Sequence, residues 1–278
     1  MYRDGHSRNA CAARFGAARM SVTKLLKASK IEVRSSPFAC KAIVNEAAFD
    51  DPEHNEAAAY WIGFLMGDGC VAVNKTSSYV MLGLSVVDRK HVEAFRQFIG
   101  CSNPVAVQPA GKRNGPMATF SVASNALVQS LRRFGVIRHK THVAKVIGLA
   151  SNRHFWRGVV DADGWVGFAR RRSTLHPSLS LVGARPLINQ FASFARSFSD
   201  VTASVNPCRD SWQFCPRGHY AVQIIHHIYA DCQIALPRKL KSANKVLQFW
   251  SLDPLQRFSS RYKIREATIT VRRRQPAG

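Results

Sequence analysis

Between residues 58 and 250 the hydrophobic pattern changes period in a set order, and the order occurs twice. Residues 60–66 (YWIGFLM) are an unbroken apolar run around Gly63, long enough with its flanks to predict a buried helix. Strand-like VAVNK and SYVMLGLSVV follow, with β-branched and alternating apolar positions about a Lys-Thr-Ser-Ser turn. DRKHVEAFRQFIG then has helical spacing, with Asp88 as an expected N-cap. PVAVQPAGKRNGPMATFSV predicts a hairpin around Gly111–Gly115, and SNALVQSLRRFG an amphipathic helix closed by Gly135. The series restarts at FWRGVVDADG, residues 155–164: strands WVGFARRR and HPSLSLVG, helix RPLINQFASFARSF, hairpin TASVNPCRDSWQFCPRGHYAVQI, helix HIYADCQIA. The unit is α-β-β-α-β-β-α, twice. Strands grouped between helices predict an α+β fold of antiparallel sheets, not alternating βαβ.

The two copies align without a gap where each begins. YWIGFLMGDGCV (60–71) lies against FWRGVVDADGWV (155–166), and Asp68 matches Asp163, 95 residues later. On a helix, Gly63 and Gly67 fall at i and i+4, as do Gly158 and Ala162. Small residues so spaced let two backbones approach closely, so the two motif helices are expected to pack on each other about a pseudo-two-fold axis. Asp68 and Asp163 then end these helices, with Gly69 and Gly164 expected in the left-handed C′ conformation. A helix C-terminus already carries partial negative charge, and paired carboxylates there call for a proton, a basic neighbour or a cation. Two carboxylates with carbonyl oxygens are the hard-oxygen set that Mg²⁺ uses while keeping waters and phosphate ligands. One such Asp-Gly could be an ordinary helix end; two at matching places favour a metal site.

Charge supplies the partner. Lys and Arg number 40 against 17 acids, a formal +23, with an isoelectric point near 10.5. A surface that basic points to a polyanion, nucleic acid before membrane. No run reaches the roughly 18 apolar residues needed to cross a bilayer, and the N-terminus lacks a signal peptide's apolar segment, so a cytoplasmic location is expected. Seven scattered cysteines without a CxxC pair suggest free thiols in a reducing compartment.

WIGFLMGDG (61–69) and WRGVVDADG (156–164) resemble the two signature helices of the LAGLIDADG homing endonucleases, in the monomeric two-repeat form. The resemblance covers roughly residues 58–250 and implies repeats at 58–150 and 151–250, each a curved sheet, forming a saddle over double-stranded DNA. It implies a site-specific endonuclease that cuts both strands of a long, pseudo-asymmetric site and leaves 3′ overhangs, using Mg²⁺ or Mn²⁺. Carried over by position, Asp68 and Asp163 bind metal with the Gly67 and Ala162 carbonyls. Asp161 occupies a position that is not catalytic in the family, where the first copy has Met66. Basic residues near the scissile phosphate would be Lys140 and Lys239, which could equally be solvated lysines. Base and phosphate contacts are expected from Asn74, Lys75, Lys112, Arg113, Arg170, Arg171, Arg172, Arg209 and Trp212. A non-catalytic nucleic-acid binder on the same fold, an RNA-splicing maturase or a transcriptional regulator, is the alternative.

Residues 1–36 lie outside the repeats. Ala12 and Phe15, then Val22, Leu25 and Leu26, predict two short helices about Gly16, like the last two of a helix-turn-helix, with Arg19, Lys24 and Lys27 toward DNA. A basic amphipathic arm explains the pattern as well. Residues 37–57 read as a linker and 251–278 as a basic tail.

Overall fold

A computed structural model describes residues 1–2, 8–31, 44–73, 77–111, 115–138, 142–171 and 174–251. It divides into two compact units, Met1–Ile43 and Val44–Gly278.

In the first unit, α1 (Arg8–Arg14) and α2 (Arg19–Ala28) are joined through Gly16, at φ +60°. The expected core is partly wrong. Cys11, Ala12, Thr23 and Leu26 are buried, whereas Phe15 and Leu25 are exposed. Thr23 and Leu26 share one helical face, which turns Leu25 away, and Phe15 follows the last residue of α1. Arg19, Lys24 and Lys27 are exposed.

The second unit contains both repeats. Repeat one runs α3 (Glu56–Gly67), β1 (Gly69–Val73), β2 (Ser78–Ser85), α4 (Arg89–Phe98), β3 (Ala106–Gln108), β4 (Met117–Ala123) and α5 (Asn125–Arg133). Repeat two runs α6 (Arg153–Asp163), β5 (Gly164–Arg171), β6 (Thr174–Gly183), α7 (Arg185–Arg196), β7 (Val205–Cys208), β8 (Ser211–Phe214) and α8 (His219–Tyr229), followed by α9 (Pro237–Ser251). The antiparallel sheets have the same order, β1-β2-β4-β3 and β5-β6-β8-β7. The duplicated α+β architecture is as expected.

Strand alternation divides each sheet into a core face and an open face. Val71, Val80, Leu82, Leu84, Ala118, Phe120 and Val122 are buried in the first sheet, Val166, Leu179, Leu181 and Phe214 in the second. Helices α4 and α5 pack on the first sheet, α7 and α8 on the second.

Three boundaries differ from expectation. The second hairpin ends at Phe214, not Ile224. Gly218, at φ +64°, starts α8 by placing Ala221, Ile224, Ile225 and Ile228 on one buried stripe. Helix α9 was not anticipated. Half of the expected linker belongs to repeat one: Phe49 is fully buried against Phe98, and Asn55 caps α3 through Ala58 N–H. Asp88 precedes α4 without a side-chain cap bond; its carboxylate accepts instead from Arg238 at 2.9 Å.

Candidate active site

Helices α3 and α6 form the centre of the second unit, and the small residues decide how closely they cross. A Cβ on Gly63 would overlap the Phe155 carbonyl, and one on Gly158 the Tyr60 carbonyl. A Cβ on Gly67 would come 2.5 Å from Ala162 Cβ and 2.8 Å from Asp163 Oδ2. Gly63, Gly67 and Gly158 thus leave no room for a side chain at the crossing, and Ala162 is the small neighbour that Gly67 faces.

That contact brings together the C-terminal ends. Asp68 caps α3, with its N–H donating to the Phe64 carbonyl at 3.1 Å, and Asp163 is the last residue of α6. Both are exposed. The glycines that follow are not left-handed as expected: Gly69 is absent from the positive-φ residues, and Gly164 is extended at φ −90°, ψ 172°. Each starts a strand, and side-chain volume is what is forbidden. A Cβ would meet Leu65 Cα at 2.6 Å in one case and the Val160 carbonyl oxygen at 2.6 Å in the other. The chain thus leaves each helix without a connecting loop, directly into the first strand of its sheet.

Lys239, in the first turn of α9, reaches the same place from the far end of repeat two. It is 7% exposed, and its ammonium donates to the Gly164 carbonyl and, at 3.4 Å, to the Val160 carbonyl. Burial, then the neighbouring Arg238 guanidinium, lowers its pKa; the carboxylates of Asp161, Asp68 and Asp163 oppose this. Lys140 lies outside the described residues, as do Asn74, Lys75, Lys112, Arg113 and Arg172.

Fully buried Asp161 is the hub of a polar layer that sequence inspection missed. It accepts from the Tyr229 hydroxyl at 2.5 Å, the Tyr60 hydroxyl at 2.8 Å and the Leu236 N–H at 2.6 Å. Burial pushes its pKa up to about 6, against the three hydrogen bonds and Lys239. Tyr60 also contacts His91 Nε2 at 2.8 Å. Since the Tyr60 proton goes to Asp161, His91 donates, and burial pushes its pKa down to about 4. Arg157, fully buried on α6, bonds the Ile234 and Ile228 carbonyls and pairs with Glu56 at 2.5 Å. The only local signal was polar Asp161 and Arg157 where the first copy has Met66 and Ile62.

Two expected DNA contacts, exposed Arg170 and half-buried Trp212, share strand parity with core-facing residues. Arg170 has the parity of Val166 and Phe168, whose ring packs on Phe249 of α9 at 5.2 Å. Trp212 has the parity of buried Phe214 and lies beneath the Arg185 guanidinium at 4.3 Å. The open face instead presents Trp165, 46% exposed, with Ser180 and Gln213, hydrogen-bonded to each other at 2.7 Å. Arg171 ends β5, and Arg209 lies in the β7–β8 turn at φ +53°. On the first sheet, Tyr79, Met81, Thr119 and Ser121 occupy the open face.

No family model and no curated protein matches this sequence. Solved structures do. The LAGLIDADG meganuclease I-CpaMI bound to uncleaved DNA aligns over 76% of this chain and 98% of its own, with a TM-score of 0.53 and 10% identity. The LAGLIDADG homing endonuclease I-LtrWI bound to target DNA aligns over 76% and 97%, with a TM-score of 0.52 and 11% identity. The chain has the LAGLIDADG endonuclease fold. I-AabMI, bound to uncleaved DNA, aligns over 70% and 91% with a TM-score of 0.50 and 12% identity. In this LAGLIDADG fold, the paired helices are α3 and α6, and the two sheets leave directly from their acidic ends. The six cysteines among the described residues are free thiols, and no described helix is long and apolar enough to cross a membrane.

Proposed function

We propose that the protein is a LAGLIDADG homing endonuclease: a monomeric, site-specific nuclease that cuts both strands of a long DNA site and leaves 3′ overhangs. The observation that carries this is the meeting of Gly67 with Asp163, which puts two exposed carboxylates at the ends of two touching helices. No described group of three or more His, Cys, Asp or Glu competes as a metal cluster. The donor set fits Mg²⁺, or Mn²⁺ in its place: Asp68 and Asp163, with the carbonyls of Gly67 and Ala162, leave room for waters and phosphate oxygens. A divalent ion there supplies a more acidic water and stabilises the oxygen that leaves phosphorus. Asp68 and Asp163 would hold it; Lys239, buried beside them, would contribute positive charge toward a phosphate that is gaining negative charge. Lys140 is the candidate for the same role from repeat one.

The formal +23 supports a DNA substrate, and the open sheet faces support groove readout. Exposed Arg19, Lys24 and Lys27 of α2 give the first unit a second set of phosphate contacts. The test is selection of cleavable sites from a randomised duplex library with Mg²⁺, beside Asp68→Asn and Asp163→Asn. Cleavage by the unaltered chain and none by either variant supports an endonuclease. Specific binding with no cleavage of any selected site overturns it in favour of a non-catalytic binder, a maturase or regulator.

A further inference from the structure

We propose that Asp161 is a positioning residue: through the Leu236 N–H it holds the first turn of α9 and so seats the Lys239 ammonium against the end of α6, in the second repeat's half of the site. This rests on the endonuclease reading for its catalytic consequence, but not for its geometry.

The C-terminal turn of α6 grips α9 at two points. Asp161 Oδ2 accepts from Leu236 N–H at 2.6 Å. The carbonyls on either side of the acid, Val160 and Gly164, accept from Lys239. Leu236 is the start of α9's hydrogen bonding, its carbonyl accepting from Lys239 N–H at 2.9 Å and Leu240 N–H at 3.0 Å. Fixing the Leu236 nitrogen therefore fixes the backbone from which Lys239 projects. The two tyrosine hydroxyls make that anchor rigid, because Tyr60 comes from α3 and Tyr229 from α8. A carboxylate accepting three buried hydrogen bonds has few other places to point.

Among the described residues, the first repeat has no buried carboxylate at the matching position. Its matching residue is Met66, 2% exposed, with its Cε 3.5 Å from where a Gly135 Cβ would stand. A thioether packs there but cannot hold an N–H with a carboxylate's strength. The duplicated chain is therefore nearly symmetric in backbone and unequal in chemistry. A lysine seated by a buried carboxylate serves one half, and so one DNA strand.

Two measurements on the full chain test this. The first needs no activity: acetylation of lysines by limiting acetic anhydride, read by mass spectrometry, with Lys241 and Lys245 as references on the same helix. Asp161→Ala raises Lys239 labelling by about tenfold, the factor corresponding to ~1.4 kcal/mol of local opening. Asp161→Asn, which keeps an oxygen for Leu236, stays near the unaltered rate. Should the alanine variant fail to fold, Asp161→Met, which carries the first repeat's own residue, replaces it. The second is strand-resolved cleavage of a plasmid bearing a selected site. Asp161→Ala or Asp161→Met accumulates the nicked circle, one strand slowed about tenfold, and Asp161→Asn accumulates less. Unchanged Lys239 labelling in the alanine and methionine variants overturns the proposal, and so does equal slowing of both strands. Failure of the unaltered chain to cut any site refutes the endonuclease function instead, and labelling then decides the positioning role alone.

Discussion

Gly63 and Gly158 lie across the crossing of α3 and α6 so that each faces a backbone carbonyl of the other helix, Phe155 for the first and Tyr60 for the second. Neither carbonyl can retreat without breaking its own helix. Gly63→Ala and Gly158→Ala are each expected to lower stability by more than ~3 kcal/mol, at the upper end of overpacking costs. Gly83→Ala is the control: its Cβ would meet Met117 Cε and Thr119 Cγ2 at 3.5 Å, ordinary contact on the open sheet face. Chemical denaturation reads the difference, and a tolerated alanine at position 63 or 158 would contradict the crossing.

The acidic pair separates stability from chemistry. Asp68 and Asp163 are exposed helix-end residues, so replacing either with Asn is expected to change unfolding free energy by under ~1 kcal/mol. DNA binding without divalent metal should stay the same or tighten, since one negative charge is removed near phosphates. Cleavage should fall by about 10³-fold or more. Binding by fluorescence anisotropy beside cleavage kinetics checks this, and a parallel loss of both would point to misfolding.

Trp61 and Trp156 occupy matching places but are not equivalent. Trp156 Nε1 donates to the Ala150 carbonyl at 2.8 Å, whereas the buried Trp61 Nε1 has no hydrogen-bond partner among the described residues. Phenylalanine at either site leaves similar unfilled volume, so the hydrogen bond decides. Trp156→Phe is expected to cost about 1 kcal/mol more than Trp61→Phe. Thermal or denaturant unfolding of the two variants gives the comparison directly.

His91 and Asp161, linked through Tyr60, make stability depend on pH in opposite senses. His91 has a folded pKa of about 4 against an ordinary 6.5, so its contribution is full above pH 6.5 and declines as pH falls toward 4. Asp161 has a folded pKa of about 6 against 3.8, so its contribution is greatest below about pH 4 and declines as pH rises toward 6. Each is on the order of 3 kcal/mol, and the slopes largely cancel between pH 4 and 6. Asp161→Asn removes one slope. Its unfolding free energy should rise from pH 4.5 to pH 6, by on the order of 1–2 kcal/mol, following His91. A flat or falling profile in that variant would mean that His91 is not held neutral.

Much of the molecule was legible in the chain because it is written in local periodicity. The repeat, the two motif helices and the core faces of the strands need only side-chain spacing of 2 or 3.6 residues, and small residues at i and i+4 marked which helices touch. Where expectation failed, the deciding contacts were distant in sequence. Nothing around Asp161 reveals that Leu236 and Tyr229 bind it, nor around Arg157 that Glu56 pairs with it; these partners come from other elements. Which strand face Arg170 and Trp212 take was not fixed locally either, because one residue of register exchanges the two faces. Gly69 and Gly164 suggested left-handed caps, yet crowding by Leu65 and Val160 is what excludes a side chain there. Local spacing was enough to specify the duplication, the helix pair and the acids at its ends. The seating of Lys239 beside them came from packing, because burial and hydrogen-bond partnership are properties of the folded whole.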